Sequence, residues 1–489
     1  MKKLFYSLII LGMIGLGGCA SDTFTPNTPS DKSGEKASVK PQEPNAEESG
    51  ETTAIDAADA RITFVTTIPE RAGYFPGSDK LGVVIMAAKE DQDKVWIDLN
   101  DNGKLDENLG EKVTKFGFGK EYSSLEEVKQ ARKEGKYIET TLSYYKPTTN
   151  KVTIYGNVTE FRAVHSHITE IDVTKAPNLR VLDLGNNELT KINIANNPKL
   201  DTIWLEHNRL SVLDLSNHPY LKAIDVSGNP ISKLELGIQP NLTEISAYET
   251  SLVYLGFVAP KLKTLDLHET LLTTLDLSKT ADMTFLRIDD SNVQVDLTEL
   301  PKLEELWMDN NKSTKPDFTG NPNLEFLRAD SLGLTTIDLS KNRNLRTLFA
   351  VGNLLETIDL SHNPKLEKLE AAGNVITHLD LKAQKEIFRV DLKGNKLDAE
   401  ALNSIYADIR SVRGIFVDDS WAPVKRILEV AENSGTEKAD YRTAARKGWY
   451  VMLTKVDWMP RPGKSLAPWR FIPEDDLEYY RLPFMERIK

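Results

Sequence analysis

Between Asn187 and Asn395 the chain restates one order of apolar and polar positions eleven times: LxxLxLxxNxL, then an xxLDLSxxP half, at spacings of 20 or 21 residues. The LxL portion alternates with period two. It predicts one short strand per unit, with leucines on one face and the intervening side chains on the other. A single unit cannot bury its apolar side, but stacked units form one elongated core, with strands about 4.8 Å apart and an arc roughly 50 Å long. Phe161, Ala163, Ser166 and Ile168 fit the same template 21 residues before Asn187, so stacking is expected to begin near residue 161.

The polar position of the pattern is filled in turn by Asn187, Asn208, Asn229, Thr250, Thr270, Ser291, Asn311, Leu332, Asn353, Asn374 and Asn395. A buried Asn at one point of each turn can bond the backbone of the next turn, which strand pairing would leave unsatisfied. This is the signature of a leucine-rich repeat solenoid of about 11–12 turns over residues 161–397. Residues 250 to 332 depart most from the template, in spacing as well as in the ladder residue.

On either side the period changes. Residues 61–160 carry alternating runs at Ile62 to Thr66, Leu81 to Ala87, Lys94 to Ile97, Tyr137 to Tyr145 and Lys151 to Tyr155, which predict an all-β, sandwich-like domain. A short helix is expected from Leu125 to Lys133, because Ser124 and Glu127 have capping-box spacing. After Leu397 the repeat is expected to stop at Asp398, an N-cap, and to give way to a helical and mixed cap over 398–451. A helix is expected there after Asp398, with Leu402, Ile405, Tyr406 and Ile409 on one apolar face, and a further helix over Val424 to Glu432, while Arg442 to Lys447 leads into Gly448, Trp449, Tyr450 and Val451. The Pro- and aromatic-rich tail 452–489 is expected to be irregular.

The amino end places this arc. Lys2 and Lys3 precede an apolar stretch from Leu4 to Leu16, followed by Gly17, Gly18 and Cys19. Residues 1–18 read as a cleaved export signal, and Leu16, Gly17, Gly18 and Cys19 resemble a bacterial lipobox. That resemblance implies lipidation at Cys19, the sole cysteine, and, with Ala20 following it, an outer-membrane anchor, with the folded part displayed at the cell surface. Residues 19–60 are polar and poor in large apolar side chains, as a disordered tether would be. The membrane would be met through the lipid alone. The formal net charge of -12 argues against a nucleic-acid partner.

Candidate chemistry lies on the face opposite the leucines. There the outward column reads Asp183, Trp204, Asp225, Ser246, Asp266, Arg287, Trp307, Arg328, Phe349, Glu370 and Asp391, with Tyr248, His268, Phe285, Asp309 and Phe326 two residues away on the same face. Exposed Trp, Tyr, Phe and Arg are favoured anchors of binding surfaces, so Trp204, Tyr248, His268, Phe285, Arg287, Trp307, Asp309, Phe326, Arg328 and Phe349 form the candidate partner site, on a face expected to be concave. The competing reading is that these aromatics only pack on neighbouring long side chains. A second column, Asn193, Asp214, Glu235, Gly256, Asp276, Asp296, Asp317, Asp338, Asp359 and Asp380, is uniform and reads as structural, with a cation-binding stripe as the alternative.

Asp98, Asn100, Asn102 and Asp106, with Gly103 and Glu107, imitate the first half of an EF-hand loop and are candidate calcium ligands. Position 12 is Leu109 rather than an acid, and DxNxNG is equally an ordinary hairpin turn. His165 and His167 would share a strand face and could hold a metal, but a third ligand is missing. No Ser, His and Asp set and no phosphate loop can be assembled, so no catalytic residue, no enzyme activity and no cofactor beyond calcium are expected.

The LxxLDLSxNPxLxxLxxxxNxL repeat, the phrase VTIYGNVTEF before it and the terminal AARKGWYV resemble the internalin-like surface leucine-rich-repeat lipoproteins of Bacteroidetes, over residues 61 to about 451. The resemblance implies an adhesin that binds a macromolecular partner, in biofilm or host contact, and transfers no particular ligand. A protein partner is the first expectation; a polysaccharide-binding accessory and a non-binding spacer are the alternatives. Oligomeric state is not legible.

Overall fold

The structure, a computed structural model, describes residues 59–71, 79–116, 142–311, 316–411 and 426–453. Cys19 and the segments around it, the expected Leu125 to Lys133 helix, most of the Tyr137 to Tyr145 run and the tail beyond 453 lie outside the described residues.

In β1 (Arg61–Thr66) Ile62 and Phe64 are buried while their neighbours are not. It pairs antiparallel with β5 (Lys151–Tyr155) and with β7 (Ile168–Asp172), and β3 (Trp96–Asp98) joins the far side of β5. A second layer pairs β4 (Ser143–Tyr145), β2 (Leu81–Ala87) and β6 (Val158–Arg162). The layers meet through Phe64 and Phe161, whose rings lie 5.7 Å apart. Since β6 also pairs in parallel with β8 (Val181–Asp183), these residues share one core with the repeats. The antiparallel β2 covers the edge of β6 that would otherwise stand open to another chain.

From β8 onward each turn adds a three-residue strand whose middle side chain is buried. They run through β9 (Thr202–Trp204), β10 (Ala223–Asp225), β12 (Glu244–Ser246) and β14 (Thr264–Asp266). The series continues with β15 (Phe285–Arg287), β16 (Glu305–Trp307), β17 (Phe326–Arg328), β18 (Thr347–Phe349), β19 (Lys368–Glu370) and β20 (Arg389–Asp391). All belong to one 16-stranded sheet, parallel apart from β2 and β4. The register is constant, so equivalent side chains of successive turns stand side by side: Asp266, Arg287, Trp307, Arg328, Phe349 and Glu370 form one row.

Two ladders of side-chain amides close the turns. In the first, Asn208 Oδ1 accepts the N–H of Leu189 at 3.0 Å, and its Nδ2 donates to the carbonyl of Leu184 in the preceding turn at 2.9 Å. Asn187, Asn229, Asn353, Asn374 and Asn395 repeat this. The second ladder stands at the opposite turn. Asn342 donates to the carbonyls of Phe318 and Asn321, both at 2.9 Å, and Asn197, Asn321, Asn363 and Gln384 do likewise, with the His218 ring in the same place.

At Thr250, Thr270 and Ser291 the hydroxyl is too short to cross. Each donates only to a carbonyl of its own turn, at 2.7, 2.9 and 2.6 Å. The residue before each ladder position takes positive φ, including Asn186, His207, Glu249, Glu269 and Gly352.

The uniform acids of the second half act inside their own turns. Asp214 Oδ1 accepts the N–H and hydroxyl of Ser216 at 3.0 and 2.7 Å, and Asp276, Asp296, Asp317, Asp338 and Asp359 take the same N–H two residues on. These bonds hold the Asp214, Asp276, Asp317, Asp338 and Asp359 carboxyls below the usual carboxylate range. Where Glu235 and Gly256 replace the acid, that local turn cannot form. There the wall extends into two paired parallel strands, β11 (Lys233–Ile238) and β13 (Tyr254–Val258).

The sheet does not stop at Leu397. Asp398 caps helix α1 (Ala399–Asp408), its Oδ1 accepting the N–H of Ala401 at 2.8 Å, and the chain then returns to the sheet. The helix expected over Val424 to Glu432 is instead strand β21 (Ile427–Glu429), parallel to β20. The reason is a further ladder residue: Asn433 Oδ1 accepts the N–H of Leu397 at 3.1 Å and its Nδ2 reaches the carbonyl of Leu392 at 2.9 Å. A short helix α2 (Arg442–Arg446) leads into β22 (Tyr450–Met452), which pairs with β21.

Asn208→Ala is expected to lower stability by about 2 kcal/mol, because it leaves the buried Leu189 N–H unpaired. Thr250→Val, which removes a bond within one turn, should cost about 1 kcal/mol or less. Urea unfolding of both variants, with loss of amide protection at Leu189 in the first alone, checks the ladder.

Candidate binding ribbon on the strand face

The constant register turns a one-residue alternation in sequence into a ribbon of interleaved rings and cations. Trp307 stacks on Phe326, with centroids 4.9 Å apart, and Phe326 lies 5.6 Å from Phe349. The guanidiniums of Arg287 and Arg328 stand over Trp307 at 5.4 and 5.3 Å. Arg328 also covers Phe349 at 5.4 Å, and the Lys368 ammonium lies 4.2 Å above the same ring. Such contacts contribute roughly 0.5–2 kcal/mol each and restrict both partners to one orientation.

A row of acids holds the cations in place. Asp289 accepts from Arg287 Nε at 2.8 Å and Nη2 at 3.2 Å, a forked pair. Arg328 Nε lies 2.6 Å from Asp309, and Glu370 receives Lys368 at 3.1 Å together with Arg389. Trp307 Nε1 donates to Glu305 at 2.7 Å. Even beside Arg328, burial raises the Asp309 carboxyl to about 6.

The structure brings Phe285, Arg287, Trp307, Asp309, Phe326, Arg328 and Phe349 into this ribbon. Asp309 is buried, and the rings are half-buried rather than free in solvent. The sequence reading of aromatics projecting into solvent is corrected here, because Trp307, Phe326 and Phe349 pack on one another and on the long cross-strand side chains of Arg287, Arg328 and Lys368. Trp204 stands apart, with the Arg162 guanidinium 5.0 Å from its ring. Tyr248 and His268 form a separate stack at 4.5 Å, and His268 is buried.

The turns around Trp204 carry acids instead. Burial, then the neighbouring Asp225 charge, pushes the Glu206 carboxyl up to about 7; Asp183, Asp225 and Glu244 are raised mainly by burial. Gly185 makes room for this carboxylate: a Cβ there would lie 1.8 Å from Glu206 Oε1. Sequence reasoning passed over Glu206, which looks like any surface acid until its turn is stacked beneath Asp225.

The four candidate calcium ligands converge on one loop, but their oxygens face backbone donors. Asp98 accepts from Asn100, Asn102 and Gly103, and Asn100, Asn102 and Asp106 each accept from the residue two ahead. The loop is closed by Glu111, two residues beyond the EF-hand position and therefore missed. It is fully buried, with its oxygens on the N–H groups of Leu99 at 2.9 Å and Asp106 at 2.6 Å. His165 and His167 are not on a strand. Both occupy positive-φ turn positions between β6 and β7, and His167 Nδ1 faces Glu188 at 3.4 Å.

No family model matches the chain, and no curated protein matches it in sequence. Among solved structures, the functional domain of InlJ from Listeria monocytogenes, which includes a cysteine ladder, is similar at 19% identity over 63% of this chain and 76% of its own, with a TM-score of 0.44. An internalin, InlF, from the same organism is similar at 17% identity, covering 53% of this chain and 87% of its own, with a TM-score of 0.41. YopM from Yersinia enterocolitica gives 22%, 56%, 60% and 0.41 for the same quantities.

The raised Glu206 sets a pH dependence of definite sign. Its carboxyl is held at about 7 in the folded chain against an ordinary 4.5, so between those values the native state holds a proton that the unfolded state has released. Stability contributed by this group is full below pH 4.5 and is lost as pH rises through about 7. Glu206→Gln is therefore expected to raise the urea midpoint above the wild type's at pH 8, with the difference shrinking towards pH 5. A constant difference across that range would contradict this assignment.

Proposed function

We propose that the chain is a lipid-anchored surface protein that recognises a protein partner through the strand face of β15 to β19. The observation that carries this is the Arg287, Trp307, Arg328 and Phe349 row with Phe326 and Lys368 beside it. Half-buried aromatics and arginines held rigid by acids lose little conformational freedom when a partner covers them, and these residue types dominate protein interfaces. Export, Cys19 lipidation and an outer-membrane location with the repeats facing outward belong to the same reading and rest on the amino-terminal sequence. Adhesion is the role such an arrangement serves.

The geometry favours protein over polysaccharide. A sugar ring stacks on an open aromatic face, whereas Trp307 has guanidiniums and Phe326 against it, and Phe349 has Arg328 and Lys368.

Capture of surface proteins by the purified full chain should be lost when Trp307→Ala, Arg328→Ala and Phe349→Ala are combined, each truncation of an anchor costing about 2 kcal/mol or more of binding. The circular-dichroism melt should show the triple variant still folded. Equal capture by both proteins would sink the reading, and loss of capture on adding soluble glycan would replace it with the polysaccharide one.

A further inference from the structure

Beside the ribbon, in the turns after β12 and β14, the ladder tie between neighbouring turns is missing: Thr250 and Thr270 bond only within their own turns. A different group of side chains spans that gap. Glu249, from the first turn, and His268 and Glu269, from the second, each bring one carboxylate oxygen or ring nitrogen within 4.8 Å of the others. The two turns are already adjacent here, since Glu249 N–H donates to the His268 carbonyl at 3.0 Å.

The imidazole is held as a metal-ligating histidine is held. Its Nδ1 donates to Asp266 Oδ1 at 2.6 Å, which fixes the tautomer and leaves a lone pair on Nε2. Tyr248 stacks on the ring at 4.5 Å and 13°, fixing its plane. His268 is 7% exposed, yet among the described residues Nε2 makes no hydrogen bond. Neither glutamate has a Lys or Arg partner among the described residues, and both sit at positive φ in the exposed turn. A ring nitrogen with no hydrogen bond among the described residues and two carboxylates with no Lys or Arg beside them thus face one another across the two turns, three donors that a cation could join.

We propose that Glu249, His268 and Glu269 bind a divalent transition cation of the zinc class, with Asp266 as the positioning residue and water completing the shell. One imidazole nitrogen and two carboxylate oxygens are a donor set for zinc, whereas calcium and magnesium take oxygen donors only. The cation joins consecutive turns where the amide ladder cannot, and its three ligands lie outside the ribbon, while the positioning residue Asp266 also stands 3.9 Å from Arg287 Nη1.

Equilibrium dialysis of the full chain against zinc, with calcium and magnesium in excess, tests this. The expected result is one high-affinity zinc per chain that excess calcium does not displace. Glu249→Gln and Glu269→Gln, both exposed and harmless to folding, should each weaken it roughly tenfold or more, and the double variant should lose it. Asp266→Asn should weaken it by about tenfold without touching a ligand. Zinc should raise the melting temperature of the wild type but not of the double variant. Absence of zinc binding, equal binding by the double variant, or displacement by calcium would each overturn the proposal, and none of them bears on capture by the ribbon.

Discussion

A chain that reverses direction at both ends of each 20- or 21-residue unit leaves, at every reversal, backbone N–H and C=O groups turned towards the core with no strand to pair them. Leucines alone could fill that core but could not satisfy those groups. The amides of Asn187, Asn208, Asn229, Asn353, Asn374, Asn395 and Asn433 pair both kinds of group on one side, and those of Asn197, Asn321, Asn342, Asn363 and Gln384 donate to the carbonyls on the other. Each also reaches into the preceding turn, so the bond that removes a burial penalty fixes the register between turns as well. The strand face inherits its order from that register.

That inheritance explains how the face carries its chemistry. With register fixed, residues 20 or 21 apart in sequence become lateral neighbours, and an alternation of Arg and aromatic residues down the chain becomes a contact between them. The Arg287, Trp307, Arg328 and Phe349 row is held by strands rather than by loops, and its acids come from the same strands or the turns just after them. Binding groups placed this way are set before a partner arrives, which is where affinity without large ordering costs comes from.

Much of this was legible and some was not, for reasons that lie in particular residues. The first ladder shows in sequence because Asn recurs at one spacing; the second is hidden because its places hold Asn197, His218, Gln239 and Thr280 before Asn321, and because Asn before Pro reads as a turn. The return of the chain to the sheet at β21 was missed since α1 and the residues that follow it put Asn433 well beyond the repeat spacing from Asn395. Glu111 escaped a motif that looks for its acid at Leu109. The strand face itself was found from alternation, but alternation gives direction and not neighbours, so rings that pack on Arg287, Arg328 and Lys368 read as free.

The positions where the pattern fails are as informative as those where it holds. At Thr250, Thr270 and Ser291 the short side chains surrender the link to the preceding turn, and in the same stretch the opposite wall loses its local acid turns at Glu235 and Gly256. A stack joined by identical bonds would be uniformly stiff. Here the ties change kind instead: strand pairing between β11 and β13 takes over on one wall, and on the other the Tyr248 and His268 stack sits between the acid-rich turns around Glu206 and the ring-and-cation ribbon. A solenoid transmits strain only between nearest neighbours. The acidic turns and the ribbon are therefore joined by the pairing of β10, β12, β14 and β15 and, on the strand face, by the contacts that Tyr248, Asp266 and His268 make across this one stretch.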